Sequence, residues 1–297
     1  MKEKLLTLIV KFTFAVFKIV PHALVIFLGK CLGCFLSLVR FKKKLVLENL
    51  EIVYGDRSSW PQGIEKRIYR HFGILMMEML KLPSLKNENF NSRFHLRGRE
   101  HLDKALNENK GAIVVTGHTG NWEYGIAGLA SSGYTVNVIV KKLKNIDNDY
   151  VFAKIRGEKG VGYILKEKAV LNIRRALKKN EIVVMVIDQN SKRSEGAFVE
   201  HFGRLASTYA APYVLANRFK CPVLPIFCHR DENLYDHHIE VFPEIEHDTL
   251  EGDEEGTVKH NIRKYLLSFE KFLSMYPEQW IWMHRRWRTQ PKDKGIK

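Results

Sequence analysis

The first forty residues form two apolar stretches. Residues 5–20 are almost wholly apolar, with Lys4, Lys11 and Lys18 at intervals of seven, so the cations fall on one narrow stripe of a helix. The charge-free run of about 20 residues that an ordinary membrane span requires is missing. The stripe predicts a helix lying in a membrane interface, its lysines reaching for phosphates and Phe12, Phe14 and Phe17 in the acyl layer. Pro21 ends that helix. Residues 24–39 are a second apolar stretch broken only by Lys30, and Arg40-Phe41-Lys42-Lys43-Lys44 then makes a basic cluster suited to anionic headgroups. A tilted membrane span and a buried helical hairpin are the competing readings. No small-residue cleavage site follows either stretch, which argues against a signal peptide.

Further on, apolar positions at helical spacing predict a helix over 64–81, with Ile68, Phe72, Leu75, Met76 and Leu80 on one face. From Gly111 strand and helix patterns alternate. Strands are expected at 112–115, 135–140, 182–187, 223–227 and 238–242, and helices at 121–130, 169–179, 209–219 and 258–275. Such alternation predicts an α/β fold, a sheet covered by helices. The chain divides into a membrane-associating segment (1–44), one domain (45–290) and a disordered tail (291–297).

A hydrophobic fraction of 45% in 297 residues provides for a sizeable core. The net charge of +15 predicts attraction to acidic partners. No nucleic-acid signature accompanies it and the basic residues are scattered, so a membrane surface and an acidic substrate fit better. Four cysteines do not make a disulfide framework in a chain this long; Cys31 and Cys34 have CxxC spacing but lie in an apolar stretch with no partner pair of zinc-ligand spacing, so all four are expected as small core residues.

Candidate chemistry gathers at Gly117-His118-Thr119-Gly120-Asn121-Trp122-Glu123, just past the strand at 112–115. Ligands bind at strand carboxyl ends in open α/β sheets. A histidine and a carboxylate five apart there can form a base with its orienting acid, and the two glycines would let backbone approach a substrate. A second such pair, His95 and Glu100, lacks that context and is read as chance. No G-x-S-x-G elbow, HExxH or phosphate-binding loop is present, and no activated serine or cysteine is evident. A base without a protein nucleophile suggests direct attack on an activated carbonyl by a substrate hydroxyl or by water. Lys154 and Arg156, beside a glycine-rich turn, suit phosphate. Asp188-Gln189-Asn190 at a strand end, then 196–199 and His201-Phe202-Gly203-Arg204, look like a site wall. His237 and His238 near Asp236 read as a strand start rather than a metal site. The aromatic and cationic alternation of 277–287 suits a membrane–water interface or stacked arginines.

In order, these segments resemble the late acyltransferases of bacterial lipid A biosynthesis, of the lauroyl/myristoyl type. The resemblance covers nearly the whole chain, and GHTGNWE with PEQWIWMHRRW is its most specific part. It implies a single mixed-sheet domain of the glycerolipid-acyltransferase type on the cytoplasmic face of a bacterial inner membrane. It implies an acyl donor that is an acyl carrier protein or coenzyme A thioester, a glycolipid acceptor, an anionic phospholipid surface, and neither cofactor nor metal. His118 would be the base and Glu123 its partner; Asn121, Lys154, Arg156, Asp188, Gly203 and Arg204 are the candidate substrate-binding positions. The third block reads Ile187-Asp188-Gln189-Asn190, unlike that of glycerolipid enzymes, which disfavours a lysophosphatidate acceptor. A lipid esterase or thioesterase using water is the alternative.

Overall fold

A computed structural model describes residues 2–84, 92–140 and 153–291, so most of the expected tail lies outside the described residues. Four helices open the chain: α1 (Lys2–Ile19), α2 (His22–Leu38), α3 (Lys43–Tyr54) and α4 (Ile64–Lys81). Pro21 separates the first two, its fixed φ serving as the lead-in to α2. The end of α1 is gripped by Lys81, whose Nζ donates to the carbonyls of Phe17 (2.9 Å), Lys18 (3.2 Å) and Val20 (2.7 Å). A cation is favoured at those unpaired carbonyls.

Helix α2 crosses α4 at backbone contact. A Cβ built on Gly73 would lie 2.2 Å from the Gly29 carbonyl oxygen, and one on Gly33 would lie 2.5 Å from that of Tyr69. Only glycine admits such an approach. Val25 and Ile26 are buried beneath α2, whereas Leu8, Phe12 and Ile19 of α1 and Phe27, Phe35 and Leu38 of α2 are exposed. The N-terminal pair is therefore half buried, not a fully buried hairpin. Phe14 was expected to point outward with Phe12, but it packs with Tyr124 and Ile155. Among the described residues no single helix is long and apolar enough to cross a membrane; α2 and α3 pass together but are bent by 92°. Helix α3 buries Val46 and Leu50 in the main core, and Asn49 donates to the carbonyls of Trp282 and His284, which ties it to the domain.

The remaining elements are β1 (Phe94–Arg97), α5 (Arg99–Leu106), β2 (Ala112–Thr116), α6 (Trp122–Ser131), β3 (Val136–Val140), β4 (Val161–Leu165), α7 (Ala169–Lys178), β5 (Ile182–Val186), β6 (Gly196–His201), β7 (Arg204–Tyr209), α8 (Ala211–Phe219), β8 (Val223–Arg230), β9 (His237–Val241) and α9 (Glu254–Met275). Seven strands form one mixed sheet in the order β1-β9-β8-β2-β5-β3-β4, and β6–β7 is a separate antiparallel hairpin. Strands β8, β2, β5, β3 and β4 are mutually parallel, with β9 and β1 reversed at one side. The central strand β2 is buried at every position, as a strand covered on both faces must be.

One face carries the larger core, in which Phe227, Tyr265, Phe269 and Phe272 meet Trp280, Trp282 and Trp287. Each buried aromatic contributes roughly 1.5–3 kcal/mol. The tryptophans are 2%, 0% and 6% exposed and Arg286 is 0% exposed, so these side chains pack inside the protein rather than at an interface, while Arg285 stays exposed. Leu102, Ile126 and Leu129 build the core on the other face. Cys221 and Cys228 are buried as expected, but Cys31 and Cys34 lie exposed on α2.

Candidate active site

Strands β2 and β5 are parallel neighbours, with Thr116 opposite Val186. Two residues further along each strand lie His118 and Asp188. That shared offset brings them together: His118 Nδ1 lies 2.7 Å from Asp188 Oδ1. The other carboxylate oxygen, Oδ2, accepts the indole N–H of Trp280 at 2.8 Å. Asp188 is 1% exposed and the His118 side chain 20%. Burial acts to raise the Asp188 pKa, but the charge and hydrogen bond of His118 outweigh it, with Trp280 helping, and hold the carboxyl down to about 2. For His118 burial works downward; the charge and hydrogen bond of Asp188, with a smaller contribution from Glu123, win and lift the imidazole above its ordinary value.

The expected His118–Glu123 pair is not formed. Glu123 sits in the first turn of α6 and is held by Arg156, with Oε1 2.7 Å from one guanidinium nitrogen and Oε2 3.2 Å from Nε. Arg156 belongs to a helical segment at 153–158, which a turn at 159–160 follows. The helix sends Lys154 outward, 3.9 Å from Glu158 and away from Glu123. The neighbouring Trp122 ring meets His118 edge-on at 4.7 Å. The Gln189 amide stands 3.5 Å from His118 Nε2, the nitrogen that faces away from Asp188.

The glycines of the loop serve packing. A Cβ on Gly117 would lie 2.6 Å from the Phe269 ring, and one on Gly120, at φ +53, would lie 2.5 Å from the Cys228 carbonyl oxygen. They fit the loop onto α9 and β8; they do not open it to substrate. The C-terminal segment closes over the outside. Thr119 bridges Trp280, the Gly120 N–H donates to the Gln279 carbonyl (2.8 Å) and the Ile281 N–H to the His118 carbonyl (3.2 Å).

Asn121, a candidate substrate-binding residue, is 0% exposed, and its side chain is engaged within the protein. Its Oδ1 caps α6 at the Tyr124 N–H (3.2 Å) and its Nδ2 donates to Glu78 Oε2 (3.0 Å). Glu78 is fully buried and held in two-pronged fashion by Arg230, which also donates to His71 Nδ1 at 2.9 Å. Burial opposes the Glu78 charge, yet Arg230 and His237 keep the carboxyl well below the usual range. Gly203 and Arg204 form the exposed tip of the β6–β7 hairpin. They enter none of the hydrogen bonds that hold His118, Asp188, Glu123 and Arg156 among the described residues.

His229, His238 and Glu240 are the one cluster with metal-ligating atoms close together among the described residues. The two imidazoles stack at 4.7 Å with planes 12° apart. An ion lying in the plane of one ring would lie out of the plane of the other, which is a poor geometry for two imidazole ligands. Instead His229 reaches Glu240 and His238 reaches Asp231. His229 and His238 also line a cavity of about 850 Å³; Arg67, Arg70, Arg97 and Arg230 line it too, offset in part by Asp231, Glu232 and Glu278.

Sequence reasoning found His118, but read Asp188 as a wall residue and missed Trp280, Glu78 and Arg230 as partners of the loop. The offset of two past each strand end was the available signal, and it becomes readable only once β2 and β5 are known to be neighbours.

A family model described as bacterial lipid A biosynthesis acyltransferase matches residues 1–289. The chain is similar to the lipid A biosynthesis palmitoleoyltransferase of Escherichia coli (strain K12), 23% identical over 278 residues, covering 91% of this chain and 87% of that protein. It is similar also to the lipid A biosynthesis lauroyltransferase of the same organism, 24% identical over 284 residues, covering 92% and 88%. A phosphatidylinositol mannoside acyltransferase of Mycolicibacterium smegmatis is 21% identical over 229 residues, covering 73% and 70%.

Proposed function

The chain belongs to the bacterial lipid A biosynthesis acyltransferase family, and from that membership we propose that it moves a fatty acyl chain from an acyl thioester to a hydroxyl of a lipid A precursor or related glycolipid, with His118 as base. The observation that carries the mechanism is the His118–Asp188 contact. Nδ1–H donated to Asp188 leaves the Nε2 lone pair free for the acceptor. Nε2 takes the hydroxyl proton as the oxygen attacks the thioester carbonyl carbon. The tetrahedral intermediate collapses with C–S cleavage, and the departing thiolate takes the proton from Nε2. Gln189, beside Nε2, is suited to steady the hydroxyl or the developing oxyanion.

A thioester is already activated, so no covalent enzyme intermediate is needed. Burial pushes the Cys221 and Cys228 thiols up to about 12, which leaves neither as a thiolate near neutral pH. Glu123 acts through its charge and its grip on Arg156, not as the hydrogen-bond partner of the imidazole. Exposed apolar side chains on α1 and α2, followed by the basic 40–44 cluster, support docking on anionic lipid at the cytoplasmic face of an inner membrane. The net charge of +15 supports an acidic donor such as an acyl carrier protein, with coenzyme A as the other candidate. The arginine-lined cavity supports an anionic acceptor headgroup.

The test is acyl transfer by the detergent-solubilised protein from a labelled acyl carrier protein thioester to a Kdo-modified tetraacyl lipid A precursor, with His118→Ala alongside. The expected result is a heavier lipid, absent with the variant. Release of free fatty acid alone would point to a hydrolase instead, and near-wild-type transfer by folded His118→Ala would remove the base assignment.

A further inference from the structure

We infer that Trp280 is a positioning residue for the reaction: its indole N–H fixes the Asp188 carboxylate so that one oxygen faces His118 Nδ1. The inference rests on the reading of His118 as base. A carboxylate turns freely about its last bond unless its second oxygen is also held, because that torsion is broad. Here both oxygens are used, Oδ1 by the imidazole at 2.7 Å and Oδ2 by the indole at 2.8 Å. An indole offers one donor and no acceptor, so the contact has a single polarity and no alternative tautomer.

The side chain is itself immobile. Trp280 is 2% exposed and lies edge-on to Phe269, Trp282 and Trp287. Its backbone is also committed to the loop: residue 280 bridges Thr119, and Ile281 holds the His118 carbonyl. One residue of the C-terminal segment thus touches both halves of the site, the loop through its main chain and the carboxylate through its side chain. Trp282, two residues on, is equally buried but spends its N–H on the Pro277 carbonyl at 2.7 Å. The two tryptophans share a segment and a core and differ in what the indole holds, which makes Trp282 the natural control.

Three variants separate positioning from packing: Trp280→Phe, Trp282→Phe, and replacement of Trp280 by its sulfur isostere benzothienylalanine, which keeps the shape and removes only the N–H. Each is assayed for kcat and KM and, after ¹⁵N-histidine labelling, for the downfield Nδ1 proton of His118. Loss of the outer partner of a metal-bound imidazole typically costs about 10-fold to 100-fold, and the same order is expected for the outer partner of this pair. Both position-280 variants are expected to lose kcat on that order, with KM within about threefold and the Nδ1 resonance moved upfield. Trp282→Phe is expected to keep the resonance. The inference is overturned if the isostere retains both kcat and the resonance, or if Trp282→Phe moves them as far. Should Trp280→Phe fail to fold, the isostere decides. His118→Ala distinguishes the two levels: full turnover in that variant sinks the base assignment itself, whereas an inactive His118→Ala beside unperturbed position-280 variants sinks only the role of Trp280.

Discussion

At the scale of single residues, the two acids near His118 divide their work by geometry. Asp188 touches the imidazole, whereas Glu123 is spent on Arg156. Asp188→Asn should therefore lower kcat on the order of 10³-fold to 10⁴-fold, because the amide favours the wrong tautomer. Glu123→Gln should cost less, since it alters a neighbour's anchor and a distant charge. The same substitutions shift the pH profile in a fixed direction. Asp188 is the main influence raising the His118 pKa, so the acid limb of kcat/KM lies above the ordinary imidazole value and moves to lower pH in Asp188→Asn. Rates of the three proteins across about pH 5–9 check both statements. His118 was legible because glycine-flanked polar residues past a buried strand stand out. Its partner was not, because the choice between a carboxylate five residues away and one seventy residues away depends on which strand lies beside β2.

At the scale of elements, α4 is joined to β8 by the Glu78–Arg230 ion pair, taken wholly out of water, and to the His118 loop by the Asn121–Glu78 hydrogen bond. Such a pair is weak evidence for stability, but breaking it leaves a buried charge uncompensated. Glu78→Ala should cost about 3–5 kcal/mol, read from denaturant unfolding, and Glu78→Leu with Arg230→Met should recover much of it. The α2–α4 crossing should be equally intolerant. Gly73→Val would drive a side chain into the Gly29 backbone, and a lowered midpoint of thermal unfolding is the expected readout. The helix at 64–81 was readable in its bounds but not in its face: Ile68 and Leu75 are buried as expected, whereas His71, Glu78 and Lys81 take buried positions and Phe72, Met76 and Leu80 are only partly covered. Strands β1 and β4 and the β6–β7 hairpin were not readable. β1 lies at an edge and leaves His95 and Arg97 exposed, β4 carries Gly162 and the exposed Tyr163, and the hairpin is built from glycine-flanked residues that suit a loop as well as a strand. The 277–287 segment was misplaced for a related reason: tryptophans and arginines suit an interface, and only tertiary packing shows Arg286 buried on the carbonyls of Gln189 and Ser207.

For the whole molecule, the buried histidines make folding acid-sensitive. Burial lowers the pKa of His22 to about 4, and burial is likewise the leading cause of the lowered values of His71, His201 and His237. In the unfolded chain these groups titrate near about 6.5. Below that value the unfolded state binds protons that the folded state refuses, so stability falls as pH drops from about 6.5 towards 4. Unfolding midpoints compared at about pH 7.5 and pH 5 should show the loss before the carboxylates begin to titrate. Removal of residues 1–44 should do more than abolish the proposed lipid docking: it would bare Tyr69 and Ile74 on α4, and an insoluble product is expected. The glycine crossing has a mechanical side as well. With no side chains between them, α2 and α4 behave as one beam, and Glu78 on that beam holds Asn121, three residues from His118. On the proposed docking, the beam sets the base at one height above the lipid surface. Acceptor hydroxyls of equal reactivity then become unequal by depth, and the protein chooses among them as a depth gauge does, by where they lie.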